Sequence, residues 1–177
     1  MRNIEIKARL HDPQAAETTA ASLAGPHPID DLRQVDTYFN LAEGRLKLRE
    51  FGEAKAAELI FYRRGDFADP KPCDYSIAPI VDPAPIKALL TQTLGVKATV
   101  AKERRVYLYE RARIHLDRVE ALGSFIEFEA ITAPGFTDAE GEQLVKRLMA
   151  IFSIPQDDII AESYCDLAIA EGKTLPE

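Results

Sequence analysis

Cysteine is scarce in this chain of 177 residues, with only Cys73 and Cys165. The two match no metal-ligand spacing and build no disulfide framework, so both read as half-buried small residues in a reducing compartment. Long apolar runs and a signal-peptide pattern are missing too, which argues against a membrane span and for a soluble, cytoplasmic protein. Positive charge is in deficit: 22 Lys and Arg against 29 Asp and Glu leave a net charge of −7. That balance speaks against general nucleic-acid or membrane-surface binding, and it makes any local cluster of cations informative. The chain shows no βαβ alternation, no internal repeat and no linker, so one α+β domain over residues 1–177 is expected.

What is present is a series of alternating strands. In Met1–Arg9, Ile4, Ile6, Ala8 and then Leu10 share one face, while Asn3, Glu5, Lys7 and Arg9 share the other. Asp12-Pro13 supplies an N-cap and a first-turn proline for a helix running to about Ala24, where Gly25-Pro26 ends it. Strands are expected at 31–40, at 45–49 after the Glu43-Gly44 turn, and at 58–64 after a second hairpin turn through Ala56. Residues 65–74, with Gly65, Pro70 and Pro72, read as a loop before a short strand at 75–81. Asp82-Pro83 starts a second helix that Gly95 caps. Three strands then form a meander at 99–109, 112–119 and 124–131. Thr137 and Glu140 make a capping box for a third helix with an apolar stripe from Leu144 to Phe152, which is core. Ser163–Leu167 adds a short element.

The faces opposite the apolar ones are heavily charged. Arg45, Lys47 and Arg49 share a face, as do Tyr62 and Arg64, and Lys102 and Arg104. Arg111, Arg113, His115 and Asp117 line one side of the seventh strand, and Glu127 and Glu129 one side of the eighth. An open sheet could turn all of these to water. If the strands instead close into an eight-stranded antiparallel barrel with helices packed outside, the charges point inward. Unpaired cations in a low-dielectric interior cost several kcal/mol each, so that interior must be wet and hold a polyanion. Arg and Lys suit phosphate oxygens, while Glu5, Glu127 and Glu129 suit Mg²⁺ or Mn²⁺.

These residues resemble the CYTH-domain proteins of the triphosphate tunnel metalloenzyme superfamily over nearly the whole chain. The family opens on Glu-x-Glu-x-Lys, here Asn3-Ile-Glu5-Ile-Lys7. The likeness continues in Arg45-Leu-Lys-Leu-Arg49, in Lys102-Glu-Arg104, and in the run from Arg113 through Gly123 to Glu127-Phe-Glu129. Tyr164-Cys-Asp-Leu fits the family's closing pattern. The resemblance implies a triphosphate tunnel and a divalent-metal-dependent enzyme. Its reaction would be phosphoanhydride hydrolysis on tripolyphosphate, thiamine triphosphate or a nucleoside triphosphate. The alternatives are a class IV adenylyl cyclase making cyclic AMP and pyrophosphate, or a non-catalytic polyphosphate or nucleotide binder. By the same resemblance Glu5, Glu127, Glu129 and Asn3 would hold the metal. Lys7, Arg9, Arg45, Lys47, Arg49, Arg64, Lys102, Arg104 and Arg113 would hold the phosphates, with Lys7, Arg49 and Arg113 acting on the reacting group.

Two positions depart from the family pattern. Asn3 replaces a glutamate and removes one negative charge, although its amide oxygen can still coordinate. Tyr62 stands where several branches carry lysine, with Arg64 two residues on. His115 reads as a proton shuttle or as a hydrogen-bonded member of a polar wall, and Asp117 as a metal ligand or an ion-pair partner. The partner expected is a small-molecule triphosphate, with no nucleic acid or membrane; an exposed apolar patch would support a homodimer.

Overall fold

The structure is a computed structural model and describes residues 1–52 and 57–174. Eight strands run in the order β1 (Arg2–Arg9), β2 (Asp30–Phe39), β3 (Arg45–Phe51), β4 (Ala57–Arg64), β5 (Lys71–Ile80), β6 (Val96–Tyr109), β7 (Ala112–Val119) and β8 (Gly123–Ile131). They close into a barrel in the spatial order β1-β5-β4-β3-β2-β6-β7-β8, every neighbouring pair antiparallel. Closure leaves no sheet edge to protect. Four helices flank it: α1 (Pro13–Ala24), α2 (Pro83–Leu94), α3 (Asp138–Ile151) and α4 (Tyr164–Ala170).

The local chemistry of the helix starts is as expected. Asp12 and Asp82 accept hydrogen bonds from the backbone N–H groups of Ala15 and Ala84, and proline follows each cap. Thr137 and Ser163 form reciprocal capping boxes with Glu140 and Asp166.

Most of the apolar core lies outside the barrel wall. Ile4, Ile6, Ile114, Ile126 and Phe128 point outward and pack under Leu144, Val145 and Leu148 of α3. Each such side chain, when fully buried, contributes about 1.5–3 kcal/mol. α3 comes so close to β1 that a Cβ on Gly141 would sit 2.9 Å from Ile4 Cγ1. A second cluster, on the inward face, joins Phe125 and Val100 to Tyr164, Cys165 and Ala168 of α4 and closes that end of the barrel, and a third, outside, sets Leu48 and Phe39 against Ile86, Leu90 and Leu94 of α2. Since strand side chains alternate, committing Ile4, Ile6, Leu48, Ile114, Ile126 and Phe128 outward commits their neighbours inward.

Several expectations need correction. Residues 71–74 are not loop: β5 begins at Lys71 and pairs with both β1 and β4, which brings Lys71 and Cys73 into the barrel wall. Cys73 and Cys165 are fully buried rather than half-buried. β6 starts three residues earlier than expected, at Val96, and Ser163–Leu167 belongs to a fourth helix, α4. The turn expected through Ala56 lies outside the described residues. Among the described residues, no helix is long and apolar enough to cross a membrane.

Candidate active site

The inward faces enclose a cavity of about 510 Å³. Ile29, Asp30, Leu32, Phe51, Glu58 and Ile77 line its mouth, and Ser163, Tyr164, Tyr38 and Tyr62 its far end. The far end is closed by the segment that leads from α3 into α4, which hydrogen bonds pin to the barrel wall. Ile160 N–H donates to Lys7 O at 2.8 Å, Arg64 donates to Ala161 O at 2.7 Å, and Lys71 Nζ donates to the same carbonyl at 3.1 Å. Tyr164 then drops into the barrel, 3% exposed, with Lys7 Nζ 3.9 Å from its ring centroid.

A cationic half is built on β2, β3 and β6. Asp36, 1% exposed, accepts from Lys47 at 2.9 Å, from Arg49 at 2.8 and 3.0 Å, and from Lys102 at 3.1 Å. The pairing follows from register, since Asp36 stands opposite Arg49 on β3 and two residues, on the same face, from Gln34, the partner of Lys102 on β6. Burial alone would raise the Asp36 carboxyl, but Arg49, Lys102 and Lys47 outweigh it and hold it well below its usual range. One carboxylate cannot balance three cations. The surplus falls on the lysines, whose ammonium groups burial pushes down, Lys102 furthest. Arg104 adds a guanidinium paired with Asp117 and, at 3.1 Å, with Glu127.

An acidic half lies on β1 and β8, where Glu5 and Glu129 are directly opposite each other. Burial and the neighbouring Glu127 raise the Glu5 carboxyl. Burial also raises Glu129, to about 7, with Glu127 and Glu5 adding to it against the pull of Arg113. Glu127 takes the negative charge: burial opposes ionisation there, but Lys7 and Arg104 hold its carboxyl well below its usual range. Two raised carboxyls beside a third that stays ionised form a set that a divalent cation would neutralise. Asn3 Oδ1, in the same wall, is buried and has no hydrogen-bond partner among the described residues. An orphaned acceptor beside three crowded carboxylates fits an oxygen-seeking divalent ion.

Most of the expected residues do meet here. Asn3, Glu5, Lys7, Lys47, Arg49, Arg64, Lys102, Arg104, Arg113, Glu127 and Glu129 all line the one cavity. Arg64 comes 3.2 Å from Glu5, and Arg113 comes 2.8 Å from Glu129. Arg9 and Arg45 stand apart, at the α4 end. Arg9 pairs with Glu171 at 3.0 Å, and Arg45 with Asp166 at 2.8 Å and Asp66 at 2.6 Å. Asp117 is an ion-pair partner of Arg104 and accepts from Tyr164 Oη at 2.8 Å. Tyr62 lines the cavity with Lys47 Nζ 5.8 Å from its ring centroid.

His115 is 3% exposed, and burial with Arg104 beside it holds its imidazole well below the usual range. Its Nδ1 makes no hydrogen bond among the described residues; the nearest carboxylate oxygen, on Glu129, is 3.8 Å away. Sequence reasoning missed Asp36, although the alternation Gln34, Asp36, Tyr38 carried the signal. It also missed Lys71, hidden in the supposed loop, and Ser163 and Tyr164 as the floor.

A model of the CYTH domain matches residues 1–164. No curated protein matches the chain. Among solved structures, the PH1012 protein of Pyrococcus horikoshii superposes with a TM-score of 0.82 at 21% identity, covering 93% of this chain and 98% of its own. A candidate adenylate cyclase from Vibrio parahaemolyticus gives 0.76 at 20% identity, over 94% and 97% of the two chains. HpAC1 from Hippeastrum, a candidate adenylyl cyclase with a dominant triphosphatase activity, gives 0.63 at 19% identity over 98% of both chains. At these identities the likeness is one of fold.

Proposed function

The chain belongs to the CYTH domain family, and from that premise we propose that it is a divalent-metal-dependent hydrolase of a triphosphate held in the barrel. One observation carries the reading: Lys47, Arg49, Lys102 and Arg104 converge on a cavity whose other wall is Glu5, Glu127 and Glu129. Cations for phosphate oxygens facing carboxylates for a metal is the arrangement phosphoryl transfer requires.

In this reading the chain's residues act by position and charge. Lys47, Arg49 and Lys102 exchange part of their grip on Asp36 for phosphate oxygens, so the protein is already organised for the anion it binds. Lys7, over the Tyr164 ring, and Arg104 hold the end of the triphosphate nearest the floor. Arg113, at the Glu129 side, steadies charge that builds on the reacting phosphoryl group. Glu5, Glu127, Glu129 and Asn3 would hold Mg²⁺ or Mn²⁺, which supplies charge neutralisation and a lowered pKa for a water. The floor formed by Ser163 and Tyr164 bars bulk water from that end.

The cyclase reading draws on the mouth, where Ile29, Leu32, Phe51 and Ile77 offer an apolar shelf for an organic group such as a base. Cyclisation also demands that the ribose be held so that its 3′-hydroxyl lies in line with the α-phosphorus. Hydrolysis demands only a water, and the Hippeastrum protein is a candidate cyclase with a dominant triphosphatase activity. The test is phosphorus NMR of products from tripolyphosphate, thiamine triphosphate and ATP, each with Mg²⁺ or Mn²⁺. Orthophosphate as the product bears out the proposal. Pyrophosphate with cyclic AMP would make the protein a cyclase, and no product from any substrate would make it a binding module.

A further inference from the structure

His115, Glu127 and Glu129 each offer a donor atom, and the three atoms lie within 4.8 Å of one another. β7 and β8 place them there: His115 is directly opposite Glu127, and Glu129 stands opposite Arg113, two residues along. We propose that His115 is a nitrogen ligand of the metal site, completing a His-Glu-Glu set that favours Mn²⁺ and other borderline divalent ions over Mg²⁺. The inference rests on the proposed metal dependence and goes beyond it in naming a ligand and a metal preference.

The argument is one of unmet bonding capacity. A buried ring nitrogen with no partner costs about 1–3 kcal/mol. His115 Nδ1 is in that position among the described residues, since 3.8 Å to Glu129 is too long for a hydrogen bond. A wall side chain that needed only packing would not require an imidazole here. An imidazole binds a metal through the lone pair of a ring nitrogen, and this ring presents an unpartnered one. One oxygen of Glu127 and one of Glu129 come within 4.8 Å of a nitrogen of this ring. A single ion would satisfy all three groups at once. Imidazole is a common ligand of transition ions, whereas Mg²⁺ keeps to oxygen donors and its own waters, so a nitrogen in the set discriminates between them.

The experiment is pulsed electron paramagnetic resonance of Mn²⁺ bound to the full chain, prepared with natural histidine and with ¹⁵N-imidazole histidine. Hyperfine coupling from one directly bound nitrogen, changing from the ¹⁴N to the ¹⁵N pattern with the label, is the expected result. In His115→Gln the coupling should vanish, and the ratio of Mn²⁺ to Mg²⁺ affinity by calorimetry should fall at least about tenfold, in line with losses seen when metal-site partners are removed. Bound Mn²⁺ with no nitrogen coupling in the wild type would overturn the ligand assignment and leave the proposed triphosphatase standing. No Mn²⁺ binding at all would overturn both. The wild-type spectrum decides the matter even if His115→Gln fails to fold.

Discussion

Replacing Asp36 by asparagine keeps the side-chain shape and removes the one carboxylate that Lys47, Arg49 and Lys102 share. Removing one partner of a buried pair typically costs about 3–5 kcal/mol, because the remaining charge is left uncompensated. Here three cations remain, and the carboxylate is 1% exposed, so solvent does little to relieve them. Against a total stability of about 5–15 kcal/mol the loss is large. For a domain of this size it corresponds to a fall in melting temperature of roughly 6–20 °C. The pH dependence has a definite sign. Buried Lys47 and Lys102 already have depressed ammonium pKa values, so in Asp36→Asn the native state sheds protons more readily than the unfolded chain. Stability then rises with pH, and the deficit should be greater at pH 6 than at pH 9. Tripolyphosphate replaces the missing charge, so it should stabilise the variant more than the wild type. Urea titrations at both pH values, with and without tripolyphosphate, measure all of this. A variant as stable as wild type, or one that tripolyphosphate does not restore, would refute the reasoning.

Triphosphate binding should take up protons, since burial depresses the Lys47 and Lys102 ammonium groups and the polyanion restores their charge; calorimetry in buffers of different ionisation enthalpy reads the number. Lys7→Ala and Arg49→Ala should each lower turnover by about 10²–10³, the usual loss for one transition-state donor, with circular dichroism unchanged. Glu129→Ala should abolish the metal-stimulated part of the rate. In metal-free protein Glu129, raised to about 7, contributes stability that is full in acid and lost as pH rises toward 7. Mn²⁺ should flatten that slope in a thermal melt by displacing the proton. Gly141→Ala should destabilise by about 1–3 kcal/mol, because the added methyl meets Ile4 Cγ1 at 2.9 Å and overpacking outweighs the helix-propensity gain; a more stable variant in urea would contradict the packing described.

The closed barrel and its inward charges were legible because alternation is a local signal. Once Ile4 and Ile6 are outward, Glu5 and Lys7 have nowhere else to point. What escaped was pairing across strands. The expectation of an interior crowded with unpaired cations overlooked Asp36, and it left Asp117 undecided until β6 and β7 put it opposite Arg104. Such partners depend on register between strands far apart in sequence, which no single run of residues displays. Lys71 escaped for a different reason. Pro70 and Pro72 flank it and suggest a loop, yet Pro72 is tolerated in β5 opposite Ile4 because the ladder gives up only one donor there. Arg9 and Arg45 show the converse. Parity places them on the inward face, but distance along the strand carries them to the α4 end, where Glu171 and Asp166 take them.

The central claim, that one half of the barrel holds phosphate and the other half a metal, is tested most directly by a crystal structure with tripolyphosphate and Mn²⁺, using the anomalous signal of manganese. The account predicts an anomalous peak between Glu127 and Glu129, with phosphate oxygens against Lys47, Arg49 and Lys102. Manganese elsewhere, or tripolyphosphate bound outside the barrel in the groove between Arg63 and Lys97, would contradict it.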